Sequence, residues 1–183
     1  MWERTLRGLA PYAGEILCVV RSEQGPVFRQ ALSDINLLTA NIRIVHDDGA
    51  GPAAAVVRAA KKAGNECLLV VGVDHPHFDD ELIRTLLESW NPSVDAVAVE
   101  KDQAGSDADR AGEPRGLQPL WALYRRTSVN TLALKQDWSN VALRDLLGSL
   151  SPVLLRIRSR AFNSVNEPAD LHAFDCTLPT SSP

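Results

Sequence analysis

The sequence predicts an α/β fold, and three features predict it. Short apolar runs rich in β-branched residues, over residues 15–21, 42–45, 68–73 and 94–99, alternate with amphipathic helical stretches. A Gly-rich turn, His46-Asp47-Asp48-Gly49-Ala50-Gly51-Pro52, joins one such run to an Ala-rich helix. The run Leu68-Leu69-Val70-Val71-Gly72-Val73 has no 3.6-residue period, as expected of a strand covered on both faces in a parallel sheet.

Each element follows from local pattern. Residues 2–12 carry Trp2, Leu6, Leu9 and Ala10 on one helical stripe with arginines opposite, and Gly14 ends the helix before the strand Glu15-Ile16-Leu17-Cys18-Val19-Val20-Arg21. A second helix is expected over 28–38, a strand over 42–45 and the Ala-rich helix over 53–63. The strand beginning at Leu68 precedes a helix over 80–90 whose Leu82, Leu86 and Leu87 share a face. A weakly alternating strand follows at 94–99. Residues 101–116 lose apolar periodicity and read as a loop, either a substrate lid or plain surface. Apolar order resumes at 118–124, where Pro119 marks an edge or a strand start. A helix over 141–150, a strand over 152–157 and a short helix over 168–174 complete the domain, expected to span 1–174, and 175–183 reads as a disordered tail.

The chain has 183 residues, 45% of them hydrophobic, which suits one domain with a substantial core. A net charge of −4 and a pI near 5.5 leave no basic footprint for nucleic acid, so any phosphate site must be local. The three cysteines, Cys18, Cys67 and Cys176, form no CxxC pair and read as reduced, buried thiols of a cytoplasmic protein. No run of about 18 apolar residues can cross a membrane. Glu3, Arg4 and Arg7 interrupt any signal sequence. The expected state is a soluble monomer or weak oligomer.

Asp74 ends the buried run of residues 68–73. A carboxylate there is costly unless a cation meets it, and open α/β sheets bind ligands at such strand tips. The competing reading makes Asp74 a cap for the helix that follows, whose first turn holds Asp80 and Glu81. His75 and His77 beside Asp74 raise a zinc reading, but His46 and His172 stand at no recognisable ligand spacing from them. Arg125-Arg126 suits either an acceptor phosphate or the start of a solvated helix. Trp121 and Tyr124 read as core rather than stacking groups, and Lys61-Lys62 as an exposed helix face.

Several segments together resemble the molybdenum cofactor guanylyltransferases. They are Asp48-Gly49-Ala50-Gly51-Pro52 before an Ala-rich helix, Val73-Asp74-His75-Pro76, Gln118-Pro119-Leu120 with Ala122-Leu123-Tyr124-Arg125, and Phe162 through Asn166 leading to Pro168-Ala169-Asp170-Leu171. Sister families that use CTP share most of these motifs. The resemblance implies a Rossmann-like three-layer sandwich of the nucleotidyltransferase (GT-A-like) type with a mostly parallel sheet. It implies GMP transfer from GTP to the phosphate of a molybdopterin-type acceptor, with Mg²⁺ and release of pyrophosphate. By the same match Asp74 is the catalytic metal ligand. Asp48 faces the nucleotide, with Asp47 as the register alternative, and Gly51-Pro52 open a helix beside it. Asn166 stands at the late Asn or Asp position, where a second oxygen touches metal or substrate. Arg21 falls at a nucleotide contact where an Asn or Gly is expected, and Ser164 stands where a further Asn or Asp is expected.

One departure is larger. The family's first strand and its Gly-rich loop with an Arg and a Lys, which cradles the phosphates, have no counterpart in these residues. That strand would lie between the strands at 16–20 and 68–73, so its loss is expected to leave two apolar edges across a gap. The expectation is an N-terminally shortened chain, its translation start placed one strand and one loop late, and inactive by itself. The alternatives are a non-catalytic binding or scaffold protein in cofactor assembly, a CTP-using enzyme, or a sugar-phosphate nucleotidyltransferase.

Overall fold

A computed structural model describes residues 2–33, 41–73, 78–101 and 117–157. The described elements run α1 (Trp2–Leu9), β1 (Glu15–Arg21), α2 (Gly25–Ser33), β2 (Asn41–Asp47), α3 (Pro52–Lys62), β3 (Cys67–Val71), α4 (Asp80–Glu88), β4 (Ala96–Lys101), β5 (Leu117–Arg125), α5 (Arg126–Ala133), α6 (Leu143–Gly148) and β6 (Val153–Ile157). The expected helix over 168–174 and the tail at 175–183 lie outside the described residues, as does the stretch 102–116.

The strands form two sheets. β1 and β2 pair in parallel, from Glu15 opposite Asn41 to Arg21 opposite Asp47. The other sheet has the order β3-β5-β4-β6, in which β3, β4 and β6 run the same way and β5 alone runs against them. The fold is therefore the expected mixed α/β arrangement with parallel strands in the majority. Among the described residues β1 and β3 are not joined by a ladder.

Apolar residues explain the layers. At the centre of the larger sheet, Ala96, Val97, Ala98 and Val99 on β4 and Trp121 to Tyr124 on β5 are fully buried. Successive side chains on a strand face opposite ways, so this pair feeds two cores. Ala96, Ala98, Ala122 and Tyr124 meet α3, α5 and α6 through Val56, Val57, Ala60, Val129, Leu146 and Leu147. Val97, Val99, Trp121 and Leu123 meet Leu82, Ile83 and Leu86 of α4. Trp121 and Tyr124 are thus core, as their composition suggested, and Lys61 and Lys62 are exposed.

Pro119 lies in β5, an interior strand, and not at a sheet edge. The ladder with β3 extends no further towards it than Trp121. The pairing with β4 jumps from Ala122 opposite Ala98 to Gln118 opposite Val99. A bulge of this kind leaves residues out of the ladder, which is how a strand tolerates a residue with no N–H. The Tyr124 hydroxyl donates to the Pro119 carbonyl at 2.8 Å across the irregularity.

Glu15 ties the start of β1 to the turn before β3. Its carboxylate accepts from the Gly64 N–H at 2.9 Å and pairs with Arg43, which also donates to the Lys62 carbonyl at 3.2 Å. The Gly64 N–H, helped by Arg43 and opposed by burial, holds this carboxyl below its usual range. A lowered folded pKa contributes stability above the unfolded value that is lost as pH falls through the folded one. Glu15→Gln should cost about 1–2 kcal/mol at neutral pH in urea denaturation. The gap between wild type and variant should close below about pH 4.

Candidate functional site at the carboxyl ends of the strands

Because β1 and β2 are parallel and in register, Arg21 and Asp47 are neighbours at their carboxyl tips. Glu15 and Gly64 place the starts of β1 and β3 together, so β3 ends at the same edge. There Gly72 is buried and Val73 is 59% exposed, and the chain leaves the sheet towards Asp74. The antiparallel β5 brings its first residues to this edge, Trp121 opposite Val71 and Leu117 opposite Glu100. β6 ends here too, with Ile157 beside Lys101.

The turn between β2 and α3 is the best-defined part of the edge. Gly49 has φ 81° and Gly51 φ 94°, in the region that favours glycine. Gly51 is the N-cap of α3 and Pro52 its first residue, where a missing N–H costs nothing. The turn is held from both sides. Arg58, on α3, donates to Asp48 at 2.7 Å and to the His46 carbonyl at 3.2 Å. The Asn140 N–H donates to the Ala50 carbonyl at 2.6 Å, and Asn140 itself has φ 59°.

The two adjacent carboxylates therefore differ. Asp48 is committed to Arg58, whose hydrogen bond and charge hold the carboxyl below its usual range. Asp47 has one oxygen, Oδ1, buried without a hydrogen-bond partner. An unpartnered buried acceptor is costly by itself, and this one sits beside Arg21. Arg58 and Asn140 were not singled out from the sequence. The tolerance of Asn for left-handed backbone is a hint for Asn140, whereas nothing local marks Arg58 as the partner of Asp48.

Asp79 caps α4, its Oδ1 accepting from the Leu82 N–H at 3.0 Å, so the cap read as a role for Asp74 is filled by another residue. Asp74, His75 and His77 lie outside the described residues, and so does Asn166. Among the described residues no three His, Cys, Asp or Glu side chains gather as a metal set. Arg125 and Arg126 open α5. Arg125 donates to the Val94 carbonyl at 2.7 and 2.9 Å and lies over the Trp90 ring at 5.7 Å, while Arg126 pairs with Glu66 at 3.3 Å. Both stand at the start of α5 as the second reading expects, but Arg125 is largely buried there and not solvated. Cys18 and Cys67 are free and half-buried, and burial pushes both thiols up to about 11. No described helix is long and apolar enough to cross a membrane. A cavity of about 590 Å³ is lined by Arg58, Lys61, Lys135 and Trp138 among others, and neither Arg21 nor Asp47 lines it. Another of about 480 Å³ lies between Ser22, Arg29 and His46.

A sheet whose carboxyl edge gathers a Gly-rich turn, a helix start and acidic tips is that of a Rossmann-like α/β nucleotide-binding protein. Residues 1–153 match the MobA-like NTP transferase domain, and the chain belongs to that family. No curated protein matches the sequence. Among solved structures, the molybdopterin-guanine dinucleotide biosynthesis protein A of Archaeoglobus fulgidus is similar at 19% identity and TM-score 0.66, over 93% of this chain and 81% of that one. The 4-diphosphocytidyl-2C-methyl-D-erythritol synthase of Anaerococcus prevotii is similar at 14% identity and TM-score 0.71, over 96% and 84%. The 2-C-methyl-D-erythritol 4-phosphate cytidylyltransferase of Thermus thermophilus gives 19% and 0.64, over 95% and 86%. Such identities speak for the fold.

Two substitutions test the turn. Gly51→Ala should cost about 1–3 kcal/mol in thermal or urea denaturation, because a Cβ is strained at this φ. Arg58→Met should raise the Asp48 pKa towards the ordinary carboxylate value in an NMR titration and speed amide exchange across residues 46–51.

Proposed function

We propose that this chain is the nucleotidyltransferase part of a molybdenum cofactor guanylyltransferase, moving GMP from GTP to the phosphate of a molybdopterin-type acceptor. An acceptor phosphate oxygen bonds to the α-phosphorus, the bond between that phosphorus and the bridging oxygen to the β-phosphorus breaks, and pyrophosphate leaves. Positioning and charge neutralisation dominate such chemistry, and this is what the carboxyl edge can supply. The observation that carries the reading is the unpartnered Asp47 Oδ1 beside Arg21, next to the left-handed turn that opens α3. A base or ribose donor satisfies the carboxylate, and a phosphate or carbonyl oxygen meets the guanidinium.

Asp74 and Asn166 are the proposed metal ligands. A carboxylate and an amide carbonyl are hard oxygen donors that fit Mg²⁺. Bound there, Mg²⁺ would neutralise phosphate charge. Asp48 acts at one remove: paired with Arg58, it holds the turn on which Gly51 and Pro52 stand. The acceptor assignment and the choice of GTP over CTP come from the family resemblance and from the Archaeoglobus relative's described role.

The test measures pyrophosphate release from GTP and from CTP, with Mg²⁺ and molybdopterin. It uses this chain and a form extended at its amino end by a strand and a Gly-rich, Lys-bearing loop. The extended form should turn over GTP, and these 183 residues alone should not. In the extended form Asp74→Ala should lower turnover at least about hundredfold, the range seen when one charge-stabilising group is removed. Asp47→Asn should raise the nucleotide KM about tenfold, the equivalent of 1.4 kcal/mol. Activity that survives Asp74→Ala would sink the metal assignment, CTP turnover in place of GTP would sink the base, and nucleotide binding without turnover would favour a non-catalytic relative.

A further inference from the structure

The cavity of about 590 Å³ carries a charge opposite to that of the chain around it. Three of the chain's 19 Lys and Arg line it, Arg58, Lys61 and Lys135, against one of its 23 Asp and Glu, Asp137. Its volume falls among those of small-molecule sites, about 300–1,000 Å³. One wall is a flank of α3, where Ala54, Val57, Arg58 and Lys61 are spaced i, i+3, i+4 and i+7 and share a stripe. The other is the stretch from Ala133 to Ser139 that follows α5.

The four charges are not equally free. Arg58 is engaged by Asp48 at 2.7 Å and by the His46 carbonyl at 3.2 Å. Asp137 accepts from the Ser139 N–H at 3.0 Å and from its hydroxyl at 2.8 Å, which holds the carboxyl below its usual range. Lys61 and Lys135 are exposed, and neither side chain has a hydrogen bond or ion pair among the described residues. Lys61 lies in the last turn of α3 and Lys135 two residues past the end of α5, where helix carboxyl ends offset part of an ammonium charge. Charge alone therefore holds an anion weakly, and a ligand needs apolar contact as well. The cavity offers it through Ala54, Val57, the buried Trp138, and Leu134, which is 88% exposed. On a flat surface two lysines and a leucine would need no explanation; here they line one cavity with a buried indole.

We propose that this cavity binds a small organic anion, an apolar or aromatic body carrying one phosphate or carboxylate group, with Lys61 and Lys135 meeting the charge. Their ammonium groups are compact charges on flexible stems, so they suit either head group without the fixed fork of arginine. Occupancy reaches the turn before α3 through both walls. Arg58 lines the cavity and holds Asp48. The opposite wall ends at Ser139, and the next residue, Asn140, donates its N–H to the Ala50 carbonyl at 2.6 Å. A ligand that touches both walls opposes their separation, and the Asn140 amide exchanges only when that bond opens. The inference goes beyond the transferase reading and does not rest on it.

Binding of 1-naphthyl phosphate, 1-naphthoate, 1-naphthol and inorganic phosphate to the 183-residue chain is measured by calorimetry and by NMR titration, with the Trp138 indole N–H signal as the local reporter. The two naphthyl anions should bind with a Kd of about 1 mM or below and shift that signal, the tighter of them naming the head group. Naphthol and inorganic phosphate should each bind at least about tenfold more weakly. Lys61→Gln combined with Lys135→Gln should weaken the naphthyl anions about tenfold at unchanged Tm, and Leu134→Asp, at an exposed position, should do so by itself. With ligand at about ten times its Kd, exchange of the Asn140 amide should slow about tenfold. The proposal falls if naphthol binds as tightly as the anions, which would leave an apolar groove, or if phosphate alone does, which would leave a surface ion site. It falls equally if the lysine variant binds as well as wild type, if neither naphthyl anion binds, or if the Trp138 signal stays still when one does. Binding without protection of Asn140 would overturn the link to the turn.

Discussion

The burial of one face of α3 is the constraint on which the rest of this structure depends. Ala53, Val56, Val57 and Ala60, spaced at i, i+3, i+4 and i+7, are all buried and form one stripe. Alanine at both ends of the stripe lets the helix come close to a sheet surface that is itself paved with Ala96, Ala98 and Ala122. Close approach of this kind gives little freedom to slide, since interiors are packed like crystals. The same helix touches β1, β2, α5 and α6. Fixing α3 therefore fixes the smaller sheet relative to the larger one, although no backbone ladder joins them.

The candidate site inherits its geometry from that helix. Gly51 and Pro52 are where α3 begins, so the turn after β2 cannot move unless the buried stripe moves. Arg58, on the exposed side of the second turn, folds back to hold Asp48 and the His46 carbonyl. Two acidic residues in a row would repel each other and any nucleotide phosphate. Pairing one of them with Arg58 cancels half of that charge locally and leaves Asp47 as the acceptor nearest the strand tips.

How much of this was legible in the sequence depended on the range of the interaction involved. Periodicity found β1 with its bounds and placed β2, β3, α3 and β6 to within a few residues, because burial of one or both faces writes itself into adjacent positions. It placed the helix at 141–150 too generously, since only Leu143–Gly148 is helical, Val141 and Leu150 being apolar for packing rather than for helix. Residues 28–38 carry the pattern of the second helix, which in fact starts at Gly25, because glycine and proline are tolerated in a first helical turn but give no periodic apolar signal. The direction of β5 and the bulge at Pro119 were not legible, because both are set by partners that are distant in sequence. The same holds for Arg125, whose carbonyl and ring partners lie some thirty residues earlier. Asp47 and Asp48 could not be told apart from spacing; an ion pair with a residue ten positions on separates them.

The antiparallel strand explains how dispersed motifs come to share one edge. If β5 ran with its neighbours, Gln118-Pro119-Leu120 would lie at the amino ends of β3 and β4, far from Gly72. Running against them, it delivers that segment to the carboxyl edge, opposite Val99 and Glu100 and close to the end of β3. The ladder is irregular at the same place, and bulges beside functional edges re-aim side chains that a regular pleat would bury. β6, parallel to β4, returns the chain to this edge at Ile157, only nine residues before Asn166. Val71, Gln118, Lys101 and Ile157 are thus drawn to one edge of the larger sheet by strand direction. A family resemblance carried by short, scattered motifs is what such a topology should produce, because the residues that meet a ligand are those at strand ends while the intervening sequence answers only to packing.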